Sequence, residues 1–288
     1  MSILLEVLIE FPSRLLGLVG RIWERSLPGR VISLFVQVLF CPFRGKRATA
    51  RQIREIFFQQ VYFTAVEAVP IVVILATLVG GVTLIEFATV LPRIGNSFFL
   101  GDVMVLVILR ELAPLFTAFI VAGRTGSALA TYIGNMKVHG EIDALESMGI
   151  DPVRFLVLPA VLGCTIGMLC LSLLFTASAV FGGFVVAQLL AWAFPGSLGL
   201  DMDINTFLSR TGTALRMLDL LVMGLKPVSF GMAVALLACL NGLSLGISSH
   251  EVPQGTRSAV VHSIVVVVLL DGLFAAIFVI PQLGSYLP

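Results

Sequence analysis

Five long apolar stretches divide this 288-residue chain, and most polar residues fall in the short connections between them. The stretches cover residues 61–90, 99–131, 153–194, 214–245 and 258–280. Each holds at least the ~20 predominantly apolar residues that a helix needs to cross a hydrocarbon layer of about 30 Å. The pattern therefore predicts five membrane-spanning helices. The third is longer than one crossing requires, so part of it is expected to extend beyond the bilayer or to bend, with Gly182-Gly183 as the place for a bend. Pro70 lies in the first span and Pro227 in the fourth. Membrane bundles tolerate such prolines because neighbouring helices re-satisfy the freed carbonyls.

Ahead of the first span the pattern changes. Leu4, Leu8, Phe11, Leu15, Leu18 and Ile22 recur at steps of three and four, with Glu6, Glu10, Arg14, Arg21 and Glu24 mostly off that stripe. This spacing predicts an amphipathic helix lying in the membrane interface. Pro28-Gly29 ends it, and residues 31–43 are apolar but too short to cross, so they read as a re-entrant or interfacial piece. A basic run over 44–54 follows, suited to anionic headgroups. The chain thus divides into an N-terminal interfacial region, 1–59, and a transmembrane domain, 60–288. No secretory leader is expected, because no small-residue cleavage site follows the first positive charge, Arg14.

Composition makes the class firm. Hydrophobic residues are 58% and charged residues 12%, against roughly 45–50% and 25% in soluble domains, and the mean hydropathy is +1.05. The fold class is all-α integral membrane protein. A net charge of +1 offers no basic field for nucleic acid. Nine of the 18 Lys and Arg precede residue 55, which places the N-terminus on the cytoplasmic side. The connections near 137–154 and 246–257 then face the cytoplasm, and 195–212 is the far-side segment. No internal repeat is visible, so an inverted-repeat secondary transporter finds no support.

Charged residues inside spans come next, since each costs about 2.5–3.5 kcal/mol and needs a partner or a wet cavity. Arg110, Glu111, Asp219, Lys226 and Asp271 are such residues. Helix neighbours point about 100° apart, so Arg110 and Glu111 are expected to reach different helices. The set reads either as structural salt bridges or as the lining of a cavity for an amphipathic ligand's head. Ala122, Gly126 and Ala130 recur at four-residue spacing, as do Gly123 and Ser127, which suits close helix packing within the chain.

Gly123-Arg124-Thr125-Gly126-Ser127 lacks the Lys-Ser/Thr and the preceding strand of a nucleotide-binding loop. If ATP is used, another subunit binds it, and no cofactor is expected on this chain. Over residues 140–149, Glu141, Asp143 and Glu146 are expected on an exposed side, while Ile142, Leu145 and Met148 recur at steps of three. A short helix between Gly140 and Gly149 would offer a knob to a cytoplasmic partner. Cys41, Cys164, Cys170 and Cys239 show no CxxC and read as packing residues. His139, His250 and His262 lack metal-ligand spacing, and no serine sits in a nucleophile-elbow pattern, so no metal and no enzyme activity are expected.

Several runs carry a family likeness. Arg110-Glu111-Leu112-Ala113-Pro114, residues 122–128, Gly134-Asn135-Met136-Lys137-Val138 and residues 141–152 together resemble the MlaE/YrbE permeases, the membrane subunits of MCE-associated ABC transporters. Residues 224–231, and residues 255–261 followed by Asp271, are similar to later parts of the same pattern. Tyr132 stands where the family usually has an acidic residue, Ala160 where it has Arg, and Val252-Pro253 replaces a usual Val-Gly.

The resemblance implies a bacterial inner-membrane permease with an interfacial N-terminal helix and five spans. Its implied partners are a second permease copy, like or paralogous, two cytoplasmic ATPase subunits and a periplasmic MCE-domain lipid-binding protein. The implied cargo is lipid, usually phospholipid, moved between inner and outer membranes. Arg110, Glu111, Lys226 and Asp271 would line the central cavity. Glu141, Ile142, Asp143, Leu145, Glu146 and Met148 would form the coupling helix. Two competing functions are an ion-coupled transporter using Glu111 or Asp271 and an intramembrane lipid enzyme.

Overall fold

A computed structural model of the chain describes residues 50–90, 104–193 and 217–284 apart from 247 and 249, with scattered positions in 29–38 and 207–215. The expected interfacial helix at 1–25 and residues 195–206 of the expected far-side segment lie outside the described residues. Within them every regular element is helical, and five helices are long and apolar enough to cross a membrane. Span 1 covers Ile53–Val90, span 2 Val105–Val138, span 3 Val153–Leu190, span 4 Met217–Leu243 and span 5 Glu251–Phe278.

Several boundaries differ from the sequence-based ones. Span 1 continues a helix that begins at Ala50, well before residue 61. A π-helical turn, Tyr62–Val66, interrupts it, and Pro70 falls in the first turn of the helix that resumes at Val69, where its missing N–H costs nothing. The expected connection at 246–257 is shorter, because the helix of span 5 already starts at Glu251, with Pro253 in its first turn. Pro227 does sit inside span 4.

Span 3 is the centre of the bundle, and Met168, Leu171, Phe175 and Ala179 are buried along it. It does not break at Gly182-Gly183, since one α-helix runs from Leu158 to Ala193. The two glycines serve packing. A Cβ on Gly183 would stand 2.6 Å from the Gly80 carbonyl carbon, and one on Gly182 would stand 2.8 Å from Thr77 Cγ2. Spans 1 and 3 therefore approach backbone to backbone, as small residues permit in membranes.

Spans 2, 4 and 5 form the other side of the bundle. The small-residue row on span 2 packs within the chain as expected: Ala122, Gly126 and Ala130 are buried, and a Cβ on Gly126 would touch Val234 of span 4. Gly123 and Ser127 do not form a second packed row. Nothing lies within 4 Å of a Cβ at Gly123, and the Ser127 hydroxyl donates to the Gly123 and Arg124 carbonyls. Cys164 and Cys239 are buried, whereas Cys170 is exposed on the bundle's outer surface.

The helices are longer than the bilayer, so charge marks the depth. In span 1 the 18 residues 68–85 carry no charge and are bracketed by Glu67 and Glu86; at 1.5 Å per residue they cover about 27 Å, close to the hydrocarbon thickness. Arg124 of span 2 pairs with Glu67 at that boundary. Arg110 and Glu111 are 14 and 13 residues earlier, roughly 20 Å deeper along span 2.

Candidate functional site

The four residues that the resemblance assigns to the cavity converge at that depth, and Asp219, the fifth charged residue within the spans, joins them. Lys226, on span 4, is 1% exposed and is the hub. Its ammonium donates to Glu111 Oε2 at 2.7 Å and to the Arg110 carbonyl at 3.0 Å. Asp271 Oδ1 of span 5 lies 2.8 Å from the same nitrogen. Beside this hub, Arg110 Nε pairs with Asp219 Oδ1 at 2.9 Å. The π-helix Val105–Leu112 of span 2 carries both Arg110 and Glu111.

Arg110 and Glu111 thus do not reach different helices. Both engage span 4, at positions seven residues and so about two turns apart. Spans 2 and 4 run parallel, and the long side chains of Arg110 and Lys226 bridge the axial offset. Asp219 and Lys226 share a face of span 4 at that spacing, a sequence signal that could have joined Asp219 to the site.

The cluster contains two cations and three carboxylates, a formal charge of −1. The cations are saturated first: Lys226 has three acceptors within 3.0 Å, whereas the side chain of Glu111 is 40% exposed. Burying such ions is tolerable only when each is paired and hydrogen-bonded.

A cavity of about 240 Å³ adjoins the cluster. Arg110, Glu111 and Lys226 form its polar wall, and Leu106, Val222, Phe274 and Phe278 its apolar wall. The arrangement is amphipathic, with fixed charges at one end and aromatic surface at the other. Its volume is below the ~300–1,000 Å³ of sites that enclose a whole small-molecule ligand. It suits the polar end of a larger molecule.

The second predicted site lies at the opposite end of span 2. Glu141–Ser147 is a single helical segment, and Gly140 and Gly149 flank it with φ of 72° and 73°. Left-handed φ is easy only for glycine, so both corners are set by sequence. At the C-terminal corner the Ile150 N–H donates to the Leu145 carbonyl and the Gly149 N–H to the Glu146 carbonyl, closing a Schellman motif. Glu141, Asp143 and Glu146 are exposed, and Asp143 pairs with Lys137 at 3.0 Å. Ile142 is buried and Leu145 half-buried, which anchors the segment. Met148 does not continue that stripe: it is the C-cap, outside the helix, and 66% exposed. Tyr132 is exposed near this end, and Ala160 is buried in span 3.

Sequence reasoning passed over Arg124. Its guanidinium donates to the Phe63 carbonyl at 2.8 Å, pairs with Glu67 and lies 4.7 Å above the Phe63 ring. Among the described residues no group of His, Cys, Asp and Glu could hold a metal ion.

Known proteins are similar to this chain in sequence. The family model for the permease MlaE matches residues 57–277. The intermembrane phospholipid transport system permease MlaE of Haemophilus influenzae is 33% identical over 229 residues, covering 78% of this chain and 85% of its own. A probable ABC transporter permease of Rickettsia prowazekii is 29% identical over 223 residues, covering 77% and 83%. The chloroplastic protein trigalactosyldiacylglycerol 1 of Arabidopsis thaliana is 31% identical over 221 residues, covering 76% of this chain and 60% of its own. With five apolar spans, a charged cluster within them and a family match over most of its length, the chain belongs to the MlaE permease family.

Proposed function

We propose that the chain is the permease subunit of an ATP-driven transporter that moves lipids, most simply phospholipids, between two membranes. The observation that carries this reading is the amphipathic cavity: fixed charges from Arg110, Glu111 and Lys226 at one end and Phe274 and Phe278 at the other. A lipid headgroup with the start of its chains has that polarity. The names of the relatives, a phospholipid transport permease and an ABC transporter permease, support the same cargo and energy source.

In this reading ATP binds to separate cytoplasmic subunits, and no cofactor sits on this chain. The exposed segment Glu141–Ser147 with Met148 is received by the ATPase, and the N-terminus is cytoplasmic in a bacterial inner membrane. A periplasmic MCE-domain protein takes the lipid, and a second permease copy faces the first. The cavity supports the last point, since among the described residues its lining comes from spans 2, 4 and 5. ATP-driven closure of the partners pushes Glu141–Ser147, span 2 carries the shift to Arg110 and Glu111, and the cavity expels the headgroup.

Reconstituting the assembled transporter between donor and acceptor vesicles, with fluorescent phospholipid in the donor, tests this directly. ATP-dependent transfer that stops without hydrolysis is expected. Transfer that follows a pH gradient and ignores ATP would favour an ion-coupled carrier instead.

A further inference from the structure

Span 2 runs from the segment Glu141–Ser147 to Arg110 and Glu111. A push at one end reaches the other only if that helix behaves as one lever. Its ends are well held. At the basal end, a Cβ on Gly242 would stand 2.9 Å from the Ala130 carbonyl oxygen, Leu245 packs against Gly134 and Gly255, and Thr131 and Thr256 share a hydroxyl hydrogen bond of 2.7 Å. At the other end Lys226 and Asp219 hold Glu111 and Arg110.

The middle of the lever is irregular. Residues Ala122–Gly126 form a π-helical turn, wider than the α-helix on either side, and its Gly123 faces open space. Such single turns are rare and weak, and concentrate where function needs them. Left alone, this turn would flex and absorb the displacement.

Arg124 sits in the turn and ties it to span 1, where a second π turn, Tyr62–Val66, receives it. An α-helix would direct the Glu67 N–H to the Phe63 carbonyl. Here it goes to the Tyr62 carbonyl at 3.4 Å, and the Phe63 oxygen accepts from Arg124 Nη1 at 2.8 Å instead. The Glu67 carboxylate takes the other guanidinium nitrogen, and the Phe63 ring lies under the cation. Three contacts from one planar group fix its direction in a way a point charge could not.

We infer that Arg124 is a positioning residue for transport: it splints the π turn of span 2 against span 1, so that displacement of the docking segment reaches the charged cavity. It touches neither cargo nor nucleotide. The inference rests on the transporter reading above for its functional consequence, though not for its mechanical one.

The test uses the full chain, in complex with its ATPase and separately in lipid nanodiscs. In the complex, Arg124→Gln should keep the ATPase bound and hydrolysing within about twofold of the parent. Lipid transferred per ATP should fall about tenfold, the low end of losing one charge-assisted hydrogen bond. Arg124→Lys, which cannot serve Phe63 and Glu67 together, should lie between. This ratio is normalised to hydrolysis, so a merely destabilised protein would not move it. In nanodiscs, spin labels at exposed Tyr62 and Tyr132, in a background without the native cysteines, report the distance between span 1 and the basal end of span 2. Arg124→Gln should broaden that distribution. Should Arg124→Gln not fold, Glu67→Gln, at a half-exposed position, should shift both readouts in the same direction by less. An unchanged lipid-to-ATP ratio with unchanged width would overturn the inference, and so would loss of hydrolysis and transfer in equal proportion. A parent complex that neither hydrolyses ATP nor moves lipid would sink the transporter reading, and the distance distributions alone would then decide whether Arg124 is a splint.

Discussion

Replacing Lys226 with Met keeps an unbranched side chain of similar length and removes the one charge that holds three spans together. Glu111 Oε2 and Asp271 Oδ1 lie 2.7 Å and 2.8 Å from the same nitrogen, so they are at most 5.5 Å apart. With an effective dielectric near 20, two unit charges at that separation repel by about 3 kcal/mol. A shorter separation would raise that figure, and solvent screening lowers it, because Glu111 is 40% exposed. The Arg110 carbonyl also loses its donor. Lys226→Met is therefore expected to lower the melting temperature in detergent, read by fluorescence-detected size exclusion, and to abolish lipid transfer. The informative variant is the triple one, Lys226→Met with Glu111→Gln and Asp271→Asn, which removes the repulsion together with the lysine. It should recover most of the thermal stability, as neutral replacements of buried ion pairs commonly do, yet remain at least tenfold impaired in transfer. Parental transfer by the triple variant would refute a headgroup-holding role and leave the charges as bundle architecture. Parental stability of the single variant would refute the energetics.

Other outcomes follow from the same geometry. Reversing Glu141 and Asp143 to Lys, both exposed, should detach or uncouple the ATPase in pull-downs while the permease elutes as a folded species; retained ATPase and unchanged transfer would contradict the docking assignment. Gly183→Ala should cost about 1–3 kcal/mol by overpacking against Gly80, whereas Gly123→Ala, with open space around it, should be neutral or stabilise by a few tenths; paired thermal melts check both. Gly140→Ala should cost about 1–2 kcal/mol through its left-handed φ and weaken ATPase binding in the same pull-down.

The spans were legible because hydrocarbon thickness demands length, and only apolar runs of that length survive in the sequence. The docking corner was legible because Gly140 and Gly149 bracket a seven-residue helix whose acidic positions face outward. What sequence could not supply was register between helices. Arg110 meets Asp219 and Glu111 meets Lys226 because spans 2 and 4 run parallel at a particular offset, and no local pattern encodes an offset. The same gap explains Gly182-Gly183: along one helix two glycines suggest a bend, and only the approach of Gly80 reveals them as a seam. The π turns left no composition cue either, so Arg124 looked like part of a failed phosphate loop.

The division of contacts constrains how the cavity can empty. Among the described residues its walls come from spans 2, 4 and 5, and the same three spans supply every member of the ion cluster. Spans 1 and 3, zipped through Gly80, Gly182 and Gly183, contribute no lining residue. Sliding one half of the bundle past the other would therefore carry the cavity along without closing it. Closure must come from span 2 tilting within its own group, which disturbs the Glu111–Lys226 contact, or from a surface outside this chain pressing on the open side. The first route passes through the π-helix Val105–Leu112 that bears Arg110 and Glu111. A cross-link between spans 1 and 3 should consequently leave lipid transfer intact, whereas one between spans 2 and 4 near Glu111 should stop it; the reverse outcome would place the moving boundary along the glycine seam.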